Sequence, residues 1–272
     1  MSRSTLTVAR VQGRSAVVAM RAESPLQLLT PKNHGDAAWV YLASLGGGFV
    51  GDDALSLDVE LEEHASLFLS SQASTKAYRG SDSRFHLDAR LARGATLLAW
   101  PEPVTCFAGA SLRQEQRLSL AADASLLFVD AFTAGRIARD ERWAFERLEA
   151  RLHVDVDGAP WLREGLVLSA ALGGPLAARL ERLDAFATVV LCGPRFTTAA
   201  QQLAERIATA RPDEAVLVSA SPRERGLLVR VAAPDVEALQ RRLQRLLARL
   251  VLDVLQDAPP SPFGGRLRAP EE

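Results

Sequence analysis

The chain has 272 residues, 48% of them hydrophobic, and a formal net charge of −1 from 32 basic and 33 acidic side chains. It can bury a core, which excludes wholesale disorder, and no charge excess points to nucleic acid or a membrane surface as its main partner. Two cysteines, Cys106 and Cys192, are too few for a disulfide framework and form no CxxC pair.

In chain order, Met1 to Thr7 lack the apolar core of a secretory signal. No later run approaches the roughly 18 apolar residues of a membrane helix, so a reduced, cytoplasmic protein is expected. Two polar blocks then flank one alternating segment. The first is Gly46-Gly47-Gly48-Phe49-Val50-Gly51-Asp52-Asp53; the second is Ser71-Gln72-Ala73-Ser74-Thr75-Lys76-Ala77-Tyr78-Arg79-Gly80. Neither has the spacing of a known catalytic device. Lys76 is one of two lysines, against thirty arginines.

Between and after these blocks the chain repeats a theme. Leu55, Leu57, Val59 and Leu61 alternate with polar residues, the period of a half-buried strand, and a turn leads into the apolar run Ala65–Leu69. The design returns at 85–91, turning at Arg93-Gly94 into 95–100. It returns again at 113–120, turning at Ala122-Asp123 into 124–129. A looser fourth copy at 148–156 turns at Asp157-Gly158, a strong hairpin signal, and resumes at Trp161-Leu162. The turn alanines at 65, 95 and 124 are 30 and 29 residues apart, a period that suggests stacked supersecondary units. Ordinary hairpins of a β-sandwich are the competing reading.

Beyond about residue 186 the pattern changes. A buried-type strand spans 187–192, and Thr197 or Thr198 can cap a helix through Ile207, stopped near Arg211-Pro212. Strands follow at 215–219 and 226–232, separated by 221–225. A long helix starts near Pro234-Asp235, with Val236, Leu239, Leu243, Leu246, Leu247, Leu250, Val251 and Val254 on one face. The expected fold is mainly β, in stacked, layered, β-helix-like sheets, with two α-helices in the C-terminal third. One domain over 1–258 and a disordered tail over 259–272 complete the expectation.

The chemistry is sparse. There is no GxSxG nucleophile elbow and no GxxxxGK[ST] phosphate loop. His34, His64, His86 and His153 are scattered, which argues against a tight zinc site. Carboxylates and hydroxyls that bind a divalent ion weakly suit transit better than storage. Asp52, Asp53, Thr75, Glu102 and Asp130 are of that type and lie at ends or turns of the repeating strands. Asp52 and Asp53 could equally cap a turn.

Five stretches in register resemble the urease accessory protein D family. They are the two polar blocks over 47–53 and 73–79, Val40-Tyr41-Leu42, Gln114-Glu115-Gln116-Arg117-Leu118, and Phe128 to Arg136 with Glu141-Arg142-Trp143-Ala144-Phe145. The resemblance covers roughly 35–165. The chain departs from the family pattern at Gly51, at Ala77 and in its tail, which lacks a Cys-Pro ending.

The resemblance implies a non-enzymatic maturation factor that binds apo-urease and the accessory proteins F and G. It holds no tight cofactor; nickel passes from the G GTPase through a water-filled passage to the urease active site. By motif matching, Asp53, Thr75 and Asp130 line or shape that passage, with Glu102 as a further oxygen donor. Lys76, Tyr78, Arg79 and Arg136 are assigned to strand geometry or partner contacts. The alternatives are a β-solenoid enzyme acting on carbohydrate or acyl substrates, with Glu102 and Asp130 as acid and base, and a nickel-storage protein.

Overall fold

The computed structural model describes residues 2–32, 35–80, 82–211 and 215–256; the expected tail and His34 lie outside them. Two antiparallel pairs open the chain: β1 (Ser2–Val11) with β2 (Arg14–Arg21), and β3 (Leu26–Leu29) with β4 (Ala38–Ser44). Three successive circuits follow, each of one short strand and two longer ones. The first is β5 (Gly48–Phe49), β6 (Ala54–Leu61) and β7 (Ser66–Ser71). The second is β8 (Lys76–Ala77), β9 (Ser83–Leu91) and β10 (Thr96–Ala99). The third is β11 (Val104–Cys106), β12 (Ser111–Leu120) and β13 (Ser125–Thr133). Then come β14 (Arg147–Val156), β15 (Ala159–Leu168), a short helix α1 (Leu176–Leu180) and β16 (Ala185–Cys192). The chain continues as α2 (Thr197–Thr209), β17 (Leu217–Arg223), β18 (Gly226–Ala233) and α3 (Val236–Leu255).

The strands flanking each of the first three repeat turns do not pair with one another. Instead β6, β9, β12 and β14 run parallel in a seven-stranded sheet ordered β15-β14-β12-β9-β6-β1-β2. Their partners β4, β7, β10 and β13 run parallel in an eleven-stranded sheet that continues through β16, β18 and β17. The repeat is thus a stack of parallel circuits, not a row of hairpins. Antiparallel pairing at β1–β2, β3–β4, β14–β15 and from β13 to β17 makes both sheets mixed, unlike the all-parallel coils of a β-helix.

The period has a physical cause in the turns. Ala65, Ala95 and Ala124 are fully buried, and each donates its N–H to the carbonyl three residues back (Glu62, Ala92 and Ala121, at 3.1, 3.1 and 3.0 Å). Three equivalent turns thus each bury one alanine at the same step of the repeat. Gly94 belongs to this stack: its φ is +67°, and a Cβ there would meet the His64 ring at 2.3 Å. The fourth copy behaves differently. Asp157 and Gly158 both take positive φ (52° and 74°), the geometry of a tight hairpin turn, so β15 folds back antiparallel on β14 in the same sheet.

The core lies in two layers. Between the sheets, inward ladders such as Val59, Ala89, Leu118 and Val154 face Leu67, Leu97 and Leu126. On the far side of the eleven-stranded sheet, Trp39, Phe68, Leu98, Leu127 and Val189 pack under α2 and α3. The stripe of α3 covers the sheet as its spacing predicts: Leu239, Leu243, Leu247 and Val251 are buried, while Arg241, Arg245 and Arg249 are exposed. Asp235 caps this helix by accepting the Ala238 N–H at 2.6 Å.

Several boundaries differ from expectation, two of them for a visible reason. Thr197 is already helical and donates its hydroxyl to the Gly193 carbonyl, so it does not cap α2, which reaches Thr209. Residues 221–223, expected as a connection, extend β17; as the outermost strand of its sheet it tolerates Pro222, and the turn falls at Glu224-Arg225.

Candidate functional site

The two polar blocks of the sequence meet in space. β5 and β8 form a two-residue parallel ladder, Gly48 opposite Lys76 and Phe49 opposite Ala77, and the Tyr78 N–H extends it to the Phe49 carbonyl at 3.0 Å. Gly46 and Gly47 turn the chain with φ of +91° and +73°. Gly48 is required for a different reason: a Cβ there would lie 2.0 Å from the Lys76 carbonyl oxygen.

This ladder borders a cavity of about 170 Å³ between the sheets. A water needs at least about 10–15 Å³ by such a measure, so the space holds several. Its wall runs from exposed Gln72 and Ala73 through Ser74, Thr75, Ser70 and Ser71 to Glu102, Gln114, Gln116 and Asp130, with Leu69, Phe85 and Phe128 between them. Three of the four expected passage residues (Thr75, Glu102 and Asp130) therefore share one cavity. The fourth, Asp53, does not line it. Its carboxylate accepts the Val50 N–H at 2.8 Å and closes the turn before β6, and Asp52 beside it is exposed.

Asp130 occupies the inward, otherwise apolar phase of β13, between Phe128 and Phe132. It lies deep in the body yet keeps accessible surface, because the cavity opens onto it. Burial pushes its carboxyl up to about 7, against a hydrogen bond from Gln114 and one from the Ala131 backbone that favour the charged form. Glu102, on the connection from β10 to β11, is also raised by desolvation to about 7; a 3.0 Å bond from the Gln240 amide of α3 opposes the shift. Glu102 thus joins the cavity wall to the helical layer, and it adds to the burial that pushes Tyr41 up to about 12. Two acids poised near neutrality in one cavity can take up or release protons as a cation enters or leaves.

The motif residues outside the cavity brace its border. The Tyr78 ring stacks edge-on against Phe107 at 5.2 Å, and its hydroxyl donates to the Gly46 carbonyl at 3.4 Å. The Arg136 guanidinium sits 4.1 Å over the same Phe107 and pairs with Glu141, holding that carboxyl below its usual range. Arg79 is exposed and lies across Gly109; Lys76 is half-buried on β8.

Gln114 and Gln116 are the site residues that spacing did not single out, although their signal was present. In the register, Gln114 stands between Phe85 and Ala150, and Gln116 between Leu87 and Leu152, so two amides interrupt two apolar ladders. Gln114 reaches across to the opposite sheet, donating to Asp130 Oδ1 at 3.4 Å. Gln240 carried no such signal, since it lies 138 residues from its partner. Among the described residues no group of three or more His, Cys, Asp or Glu side chains converges to hold a metal ion. Among them, too, no helix is long and apolar enough to cross a membrane.

Fold and site together define a layered β-sheet body built around a polar, acid-lined cavity and backed by a helical layer. The family model for the UreD urease accessory protein matches residues 2–265. A protein named urease accessory protein UreD from Anaeromyxobacter sp. (strain Fw109-5) is 49% identical over 245 residues, 89% of this chain and 82% of that one. One of the same name from Sorangium cellulosum (strain So ce56) is 46% identical over 255 residues, 93% and 81% of the two chains. Urease accessory protein D of Arabidopsis thaliana is 28% identical over 293 residues, 95% and 99%. The chain belongs to the UreD family of urease accessory proteins.

Proposed function

We propose that this chain is a non-catalytic scaffold of urease maturation. It binds apo-urease together with the F and G accessory proteins, and nickel crosses its body through the cavity between the sheets on the way to the urease active site. One observation carries the reading: Thr75, Glu102 and Asp130, far apart in sequence, line a single cavity inside an otherwise apolar core. Burying two ionisable acids and two amides costs stability, which a purely structural core would avoid. Their oxygens suit a borderline divalent ion that must be held weakly enough to leave. Nucleotide hydrolysis falls to the G partner, because this sequence has no phosphate-loop motif.

The scaffold half is tested by coexpressing the chain with the urease subunits and the F protein. A complex that co-elutes in size-exclusion chromatography supports the reading. Elution of this chain apart from both, under conditions where each partner is folded, contradicts it.

A further inference from the structure

Four strands lie at the ends of the two sheets, and an unpaired strand edge is a template for another chain unless something blunts it. β3 is only four residues long; β15 carries Pro160, Arg163 and Glu164; β17 ends in Pro222 and Arg223. β2 has eight residues, and its run Ser15-Ala16-Val17-Val18-Ala19-Met20 holds neither a charge nor a proline. The Ser15 N–H is taken by the Asp36 carbonyl at 2.8 Å. From Ala16 to Arg21, no backbone hydrogen bond outside the ladder with β1 is made among the described residues.

The side chains along this edge are sorted by face. A bulge leaves Val18 out of the register, so Arg14 stands opposite Val11 and Arg21 opposite Thr5. Directly opposed residues share a face, and Thr5 and Val11 are an even number of positions apart, so both arginines lie on the outer face. Met20 stands opposite the buried Leu6, on the core-facing side, yet is 44% exposed at the open end of the sandwich; Val18 is 48% exposed. Arg14 is exposed and makes no ion pair among the described residues. Arg21 pairs with Glu23 at the surface, a contact easily exchanged for another carboxylate. A second copy would set arginines against arginines.

We infer that the outer edge of β2 takes an added strand from an acidic protein partner: an extended segment with carboxylates six residues apart on one face and apolar side chains on the other. The carboxylates meet Arg14 and Arg21, while the apolar side chains cover Met20 and close the end of the core. Main-chain bonds supply the affinity, and the two charges select the partner. This grip is independent of any ion in the cavity.

The test is fluorescence polarisation of the full-length chain with three labelled peptides in about 50 mM salt, where exposed charge pairs are little screened. They are Glu-Val-Thr-Val-Thr-Val-Glu, the same core between two lysines, and the first peptide with proline at its central valine. The glutamate peptide should bind roughly ten-fold more tightly than the lysine one. The proline peptide, which cannot complete the ladder, should bind roughly five-fold or more below the glutamate one. Met20→Asp should weaken the glutamate peptide roughly ten-fold without lowering the melting temperature; Val18→Asp serves where Met20→Asp melts lower. Equal affinity for the glutamate and lysine peptides, or for the glutamate and proline peptides, overturns the inference. So does the absence of glutamate-peptide binding up to about 1 mM. A parent chain that elutes as a dimer, with Met20→Asp a monomer, gives the edge to a second copy and overturns it too.

Discussion

Replacing Asp130 by Asn gives the most quantitative check on the cavity. The carboxyl rises from 3.8 in the unfolded chain to about 7 in the folded one, chiefly by desolvation. Between these values the folded protein holds a proton that the unfolded chain has released. Stability therefore falls as pH rises from about 4 to about 7 and then levels off. At 1.36 kcal/mol per unit, a shift of roughly three units makes the charged carboxylate cost up to about 4 kcal/mol above pH 7. Asn keeps the shape and an acceptor for Gln114 but does not ionise. Urea unfolding from pH 4 to 9 should give curves that coincide near pH 4 and diverge above it, the Asn variant becoming more stable by up to about 4 kcal/mol. Glu102 contributes a slope of the same sign to both proteins and cancels in the difference. A difference that does not change with pH would show that Asp130 is already ionised freely in the fold, and the desolvation argument would be wrong.

Other outcomes follow from the same geometry. Gly48→Ala drives a Cβ into the Lys76 carbonyl, so the β5–β8 ladder must open; a loss of roughly 2 kcal/mol or more in chemical unfolding is expected. Ala95→Leu overfills the stacked turns, where Ala95 is fully buried; a loss of about 1–3 kcal/mol should appear as a lowered melting temperature. Because Asp130 and Glu102 both sit near 7, nickel affinity measured by dialysis should rise with pH through neutrality as the ion displaces protons, and a flat profile would exclude these acids as ligands.

Much of the architecture was legible before any coordinates. The alternation at Leu55, Leu57, Val59 and Leu61 and the thirty-residue spacing of the turn alanines both come from local rules, side-chain period and turn packing, so they survive into the fold. The chirality and pairing of the circuits are non-local: nothing in 62–65 says whether the chain returns to its own sheet or crosses to the other. Asp157-Gly158 does say so, because two positive-φ residues force a hairpin. At the site, Asp130 and Thr75 were found by matching motifs, and the cavity gives them a common setting. Asp53 shows the limit of that approach, for a turn-capping aspartate and a pore-lining one look alike in sequence. Gln114 and Gln116 are readable as polar residues on an apolar phase, a signal independent of where the carboxylates fall. The Glu102–Gln240 bond depends on how α3 lies against the sheet, which periodicity alone does not specify.

Whether metal moves through this body, and not merely alongside it, is tested by nickel-dependent urease activation in cells coexpressing Asp130→Ala, with complex assembly followed on the same sample. Low urease activity from a complex that still elutes intact is the predicted result. Full activation from an intact Asp130→Ala complex would contradict the account.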